Sequence, residues 1–172
     1  MLLLRIAYDR KTGRPVGAAV NNSCHISEND TTLEEELRGV EDPKFRAIQA
    51  LQHQLRNENR HIFEEIGTEK MFSIKMIGIA EQDRGQGIAT NLIQRSILLA
   101  GCLGFRAIKT ECTGHFSRET FERVGMQAAG SIKYADFEFE GQKVFAGMAD
   151  TEDKEITFMK KKFFQSSLKH IL

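Results

Sequence analysis

One stretch constrains this chain more than any other: an apolar run over residues 71–80, a polar turn with two glycines over 81–87, and an amphipathic run over 88–103. The first alternates at Phe72, Ile74 and Met76, then turns apolar on both faces through Ile77 and Ile79, as a covered central strand does. The last places Ile88, Leu92, Leu99 and Leu103 on one stripe and stops at Gly104, the pattern of a helix with a glycine at its C-terminal end. A strand passing through a glycine turn directly into a helix is an anion-binding device. The first helical turn leaves N–H groups unpaired and carries partial positive charge.

The flanking sequence predicts the rest of the fold. Residues 2–8 and 16–20 are apolar runs joined by turn chemistry at Lys11-Thr12-Gly13, which reads as a hairpin. Residues 21–44 read as a polar loop with a short helix at 33–37, opened by Thr31 and Thr32, each with a glutamate three places on, and closed by Gly39. Asp42-Pro43 sets an N-cap and a first-turn proline for a helix over 43–57, with Phe45, Ile48, Leu51 and Leu55 as its apolar stripe. Residues 58–70 are expected to be a polar connection. Beyond Gly104 the pattern predicts a strand at 106–112, a helix at 117–124, and a hairpin of strands 132–139 and 143–146 turning at Glu140-Gly141-Gln142. A short strand at 156–159 then leads into a solvated Lys160-Lys161-Lys162 tail.

With 172 residues, 41% hydrophobic and 28% charged, a single globular domain over 1–172 is expected. The 24 basic and 24 acidic residues cancel, so no global field draws nucleic acid or an anionic membrane, and a small molecule is the expected partner. Cys24, Cys102 and Cys112 are too few and too scattered for a disulfide framework or a zinc site. The run Met1-Leu2-Leu3-Leu4 before Arg5 is too short for a signal peptide or a membrane span. Together these predict a cytoplasmic protein. Oligomeric state leaves no trace in the residues.

Three kinds of fold use a glycine turn of this sort. A Walker loop needs Gly-Lys-Ser or Gly-Lys-Thr, and Gly87 is followed by Ile88-Ala89-Thr90. A dinucleotide fold needs an acid at the end of the next strand, roughly where Glu111 stands, so the acid alone leaves that reading open. Its full G-x-G-x-x-G pattern is absent, however, and a hairpin precedes the turn.

Arg84-Gly85-Gln86-Gly87-Ile88-Ala89 resembles the Arg/Gln-x-x-Gly-x-Gly/Ala signature with which GNAT-superfamily N-acetyltransferases hold the pyrophosphate of acetyl-CoA. The order of elements around it is similar too. Cys112-Thr113-Gly114-His115-Phe116-Ser117, Phe121-Glu122-Arg123-Val124-Gly125-Met126 and Tyr134-Ala135-Asp136-Phe137 resemble the arylalkylamine (dopamine-type) branch. The resemblance implies a GNAT-like α/β fold: a mixed, largely antiparallel sheet with splayed central strands and flanking helices. It implies acetyl-CoA as cosubstrate and direct attack on its thioester by a small primary amine, arylalkylamines first and polyamines second. It assigns Arg84, Gly85, Gln86, Gly87, Ile88 and Ala89 to the pyrophosphate, and Ile77, Gly78 and Ile79 to the pantetheine arm, which pairs as an added strand would. A backbone N–H there would polarise the acetyl carbonyl. Gly78 fits a bulge or a close backbone approach.

The proton-transfer groups are less plainly written. Many family members carry a tyrosine where this chain has Phe121, which cannot donate. Within the branch that role passes to hydroxyls matching Ser117 and Thr113, although Ser117 would serve equally well as a helix N-cap. Ser73 and Lys75 match positions where other branches place a base, and neither is one; Glu111 stands in reserve. The branch also carries an upstream strand and helices, one with a glutamate, that have no counterpart here, so the domain is expected to be N-terminally incomplete relative to the family. The alternative function is an acyl-CoA-binding module with little or no transferase activity. His115, Cys112, Phe137, Phe139 and Phe145 are expected to pack or face solvent, and His53 and His61 to hold no metal.

Overall fold

The computed structural model describes residues 2–148 and 151–163. Six strands, β1 (Leu2–Tyr8), β2 (Pro15–His25), β3 (Lys70–Ile79), β4 (Ala107–Cys112), β5 (Gln127–Lys133) and β6 (Glu155–Lys162), form one sheet in the order β1-β2-β3-β4-β6-β5. Helices α1 (Leu33–Glu36), α2 (Pro43–Glu58) and α3 (Ile62–Ile66) precede β3, α4 (Ile88–Cys102) joins β3 to β4, and α5 (His115–Arg123) follows β4. Every neighbouring pair of strands is antiparallel except β3 and β4. A parallel pair needs a crossover, and α4 supplies it. The expected mixed, largely antiparallel sheet is therefore observed. On one face Leu51, Leu55, Ile62 and Phe63 pack against Met71, Ala107 and Phe158. On the other, Ile93 and Phe121 pack against Phe72, Ile74, Ile108 and Met159. Among the described residues no helix is long and apolar enough to cross a membrane.

The strand that positions the site, β3, has two unlike halves. From Met71 to Ile74 it is buried, paired with β2 and, at Phe72, Ser73 and Ile74, with β4. Lys75 then forms a bulge: Val20 of β2 faces Met76 while Asn21 faces Ile74, so Lys75 has no residue opposite it. Beyond the bulge β3 keeps β2 but loses β4, and the two strands splay. The Thr110 hydroxyl donates to the Ile74 carbonyl at 2.9 Å and closes the vertex of the fork. Burial was expected to run through Ile79. Instead Met76 is 67% exposed, in the half that β4 no longer flanks. Gly78 is not the bulge; it faces Ala18 in regular register.

Several boundaries differ from the sequence expectation for identifiable reasons. β2 runs to His25 rather than ending at Val20, and buries Asn21 completely, with the side-chain amide donating to the Leu3 carbonyl at 3.3 Å. Thr32 and Glu35 form the capping box of α1, and Asp42 caps α2 through the Phe45 N–H at 2.8 Å. The face that α2 buries is Ala47, Ala50, Leu51 and Leu55, while Phe45 and Ile48 stay exposed. Residues 58–70 are not merely a connection, since Ile62, Phe63 and Ile66 of α3 are buried.

The predicted hairpin at 132–146 is absent. Residues Tyr134–Asp136 form a 3-10 turn, and only an isolated bridge between Phe139 and Gln142 remains. The strand before it, β5, starts at Gln127 and pairs with β6, which lies inside the sheet between β4 and β5. The lysines expected in a solvated tail belong to β6. Lys160 Nζ reaches Glu65 at 2.6 Å, and Lys161 Nζ donates to the Val124 carbonyl at 2.8 Å, so the stems pack while the charges find partners. Phe137, expected with Phe139 and Phe145 to pack a closing hairpin, instead joins the core on the α2 side, and the other two pack against that core partly buried.

Candidate active site

After β3, a short 3-10 turn at Glu81–Asp83 leads to Gly85 and Gly87, with φ of 75° and 74°, and directly into α4. An L-residue with a side chain in that left-handed region costs about 1–2 kcal/mol, which is why glycine recurs here. Crowding is not the reason, since a Cβ on either glycine would meet no atom of the chain. Gly87 is the N-cap of α4, without a side-chain cap and with no acidic residue in the first turn. The first-turn N–H groups are thus left to water or a ligand, and their partial positive charge is not cancelled locally. Arg84 is exposed beside them and makes no ion pair among the described residues.

The fork, this turn and α5 enclose a cleft of about 870 Å³. Of the residues the motif resemblance assigns to the cofactor, Ile77, Gly78, Ile79, Arg84, Gly85, Gly87, Ile88 and Ala89 line this cleft, and Gln86 lines a neighbouring hollow with Asn91 and Arg95. On the α5 side Phe121 is buried, Ser117 is half-buried and Phe116 is 72% exposed. The unpaired edge of β3 faces this space, where an extended ligand could hydrogen-bond to it.

The two predicted hydroxyls part company. Ser117 lines the cleft, but it is not the N-cap: α5 begins at His115 with Gly114 as cap, and Ser117 Oγ donates to the Gly114 carbonyl at 2.6 Å. Thr113 is exposed and does not line the cleft, while its carbonyl accepts the Tyr134 hydroxyl at 2.6 Å. Burial pushes the Cys112 thiol up to about 12, against the pull of the Ser117 hydroxyl, so it is a neutral thiol at physiological pH. His115 is committed elsewhere: Asp153 accepts its backbone N–H at 2.8 Å and lies 2.8 Å from its Nδ1, and that bond raises the imidazole pKa. The Asp153 carboxylate therefore serves as the cap that Gly114 lacks.

Across the sheet, Glu111 is not a reserve base. Burial pushes its pKa up, but Lys109 at 2.8 Å and Arg56 at 3.7 Å outweigh burial and hold the carboxyl below its ordinary value. A carboxylate stabilised as an anion is a poorer proton acceptor. Nor is Glu111 an ordinary surface residue, since it belongs to a buried chain of charges in which Arg56 also pairs with Glu36 at 2.6 Å. A second, smaller cavity of about 300 Å³ opens on this face, lined by Glu28, Glu36, Gln49, Arg56 and Lys75 among others. Arg14, Asp83 and Arg56 were missed by sequence reasoning. The Arg14–Asp83 bond spans 69 residues, and no local pattern announces a partner so far away.

No family model matches this sequence. Among solved structures, the chain superposes on a mosquito arylalkylamine N-acetyltransferase like 5b with a TM-score of 0.82 and 23% identity, over 93% of this chain and 74% of that one. Arylalkylamine N-acetyltransferase 2 from Aedes aegypti gives a TM-score of 0.78 and 27% identity, over 91% and 71%. A Drosophila melanogaster polyamine N-acetyltransferase gives 0.77 and 20%, over 88% and 71%. The splayed strands, the glycine turn and this extent of superposition agree: the chain has the GNAT fold, in the form shared by arylalkylamine and polyamine N-acetyltransferases.

Proposed function

We propose that this protein is an acetyl-CoA-dependent N-acetyltransferase for small primary amines, arylalkylamines first and polyamines second. One observation carries the proposal. The uncapped N-terminus of α4, the open edge of β3 and the wall of α5 meet in one cleft at the fork of the sheet. The fold neighbours named for arylalkylamines and polyamines support the choice of acceptor.

In this reading the first-turn N–H groups of α4 and Arg84 hold the pyrophosphate, and the backbone at Ile77, Gly78 and Ile79 pairs with the amides of the pantetheine arm. Acetyl-CoA brings the acetyl group as a thioester; an amine nitrogen bonds to its carbonyl carbon, the C–S bond breaks, and the proton lost by nitrogen balances the one gained by sulfur. The chain's part is to hold both reactants in register, to aim a backbone N–H of β3 at the carbonyl oxygen, and to offer Ser117 Oγ as proton donor to the sulfur. Water would accept the ammonium proton, since Asp83, paired with Arg14, is the only carboxylate lining the cleft among the described residues.

That scarcity of bases favours the second reading, a module that binds acyl-CoA with little transfer. Titration with acetyl-CoA, followed by thiol release with dopamine, tryptamine and polyamines, separates the two. Turnover supports the enzyme, binding alone supports the module, and no binding defeats both. Arg84→Ala is expected to weaken acetyl-CoA binding roughly tenfold, the worth of one charge-assisted contact. Unchanged affinity would remove the pyrophosphate assignment.

A further inference from the structure

We propose that Arg14, which does not line the cleft, is a positioning residue for the cofactor: it neutralises Asp83, a carboxylate in the cleft wall, and fixes it away from the phosphate site. The inference rests on reading the cleft as the acetyl-CoA site. Asp83 is 9% exposed, lines the cleft and stands one residue before Arg84. A buried carboxylate there would repel a diphosphate, and low local polarity would enlarge the repulsion. Arg14 Nη2 donates to Asp83 Oδ1 at 3.0 Å, while Nη1 lies 2.9 Å from Oδ2 as a charge contact that leaves this buried oxygen without a hydrogen bond. One charge-assisted hydrogen bond and one close ion contact tie the carboxylate to the hairpin and offset its charge.

The segment that presents Arg14 is itself fixed. Asp9 Oδ1 accepts the N–H groups of Lys11 and Thr12 at 2.7 and 3.1 Å, and the Asp9 N–H donates to the Arg14 carbonyl at 2.9 Å. Next to it, β2 runs so close to the cofactor turn that a Cβ on Gly17 would sit 2.6 Å from Ile79 Cδ1 and 3.4 Å from Ile88 Cγ2. The hairpin thus seats against both ends of the anion-binding turn and brings a cation to Asp83, the buried one of its two acids, Glu81 being exposed. The outward side of that guanidinium is open, with the Arg14 side chain 42% exposed.

The test is a double-mutant cycle with Arg14→Ala, Asp83→Ala and the pair, read by calorimetric titration with acetyl-CoA at low and high salt, with melting temperatures alongside. Arg14→Ala should weaken acetyl-CoA roughly tenfold or more, and salt should relieve only part of the deficit, because Asp83 is largely buried. Asp83→Ala should bind at least as tightly as the wild type, and the double variant should recover to within about threefold of it. S-acetylpantetheine, which carries no phosphate, should bind all four proteins alike. A double variant as weak as Arg14→Ala would overturn the proposal, because removing the acid would then restore nothing. Wild-type affinity in Arg14→Ala would overturn it too, while leaving the cofactor site intact. Failure of the wild type itself to bind acetyl-CoA would instead defeat the function proposed above, and this inference with it.

Discussion

The two halves of β3 are made of similar residues and serve opposite ends. Phe72 and Ile74 are buried to within 2% and paired on both sides. Past the bulge, Ile77 and Ile79 are only half-buried and Met76 stands in the open, on a strand paired on one side. Hydropathy does not distinguish the halves. What does is the neighbour: where β4 runs alongside, apolar side chains become core, and where it diverges the same kind of side chain lines a cleft.

The sharpest way to break this contrast is by truncation. Phe72→Ala should cost about 3–5 kcal/mol in chemical denaturation, whereas Met76→Ala should change stability by no more than about 0.5 kcal/mol. Equal losses would mean that the second half is packed as tightly as the first. Gly87→Ala comes next, costing about 1–2 kcal/mol from its positive φ alone, together with a loss of acetyl-CoA affinity measured by titration. Thr110→Val, which removes the hydroxyl from the Ile74 carbonyl at the vertex of the fork, should cost about 1 kcal/mol. Its denaturation midpoint should fall with an unchanged slope.

The smallest expected effect is on α5, which walls only the open half. The His115 pKa is raised from 6.5 by its bond to Asp153, so that group's contribution is complete below 6.5 and fades as pH rises through its folded value. Asp153 is lowered from 3.8, chiefly by accepting the His115 backbone N–H, so its contribution is present above 3.8 and fades as pH falls through its own folded value. The contact should be firmest between those limits. Protection against hydrogen exchange at the first turn of α5 should fall as pH rises through the folded His115 pKa while β3 protection stays constant; a parallel loss in both would show that the wall and the core are one cooperative unit.

The sequence displayed its local chemistry well. Gly85, Gly87 and the strand before them could be read because a positive φ and an uncapped helix end require particular residues within a few positions. The capping box at Thr32 was legible for the same reason. Lys160, Lys161 and Glu111 were not, because their meaning lies with Glu65, Val124, Lys109 and Arg56, three of them far away in sequence. A run of lysines looks solvated until its partners are known. The strand 132–139 was misplaced because Phe137 and Phe139 are apolar enough for a strand, yet a 3-10 turn and a loop bury the first and pack the second, partly exposed, against the core.

The bulge at Lys75 has a consequence for side-chain direction. In an unbroken strand Phe72 and Ile74 would share a face with Met76 and Gly78, and Ile77 would turn to the opposite side. In this strand Ile77 packs with Phe72 and Ile74, because one supernumerary residue exchanges odd for even. Deleting Lys75 would therefore shorten β3 without turning it, leaving Ile77 and Ile79 on the face of Phe72 and Ile74, whereas pairing Lys75 in regular register would turn the second half over and present Met76 and Gly78 to the cleft.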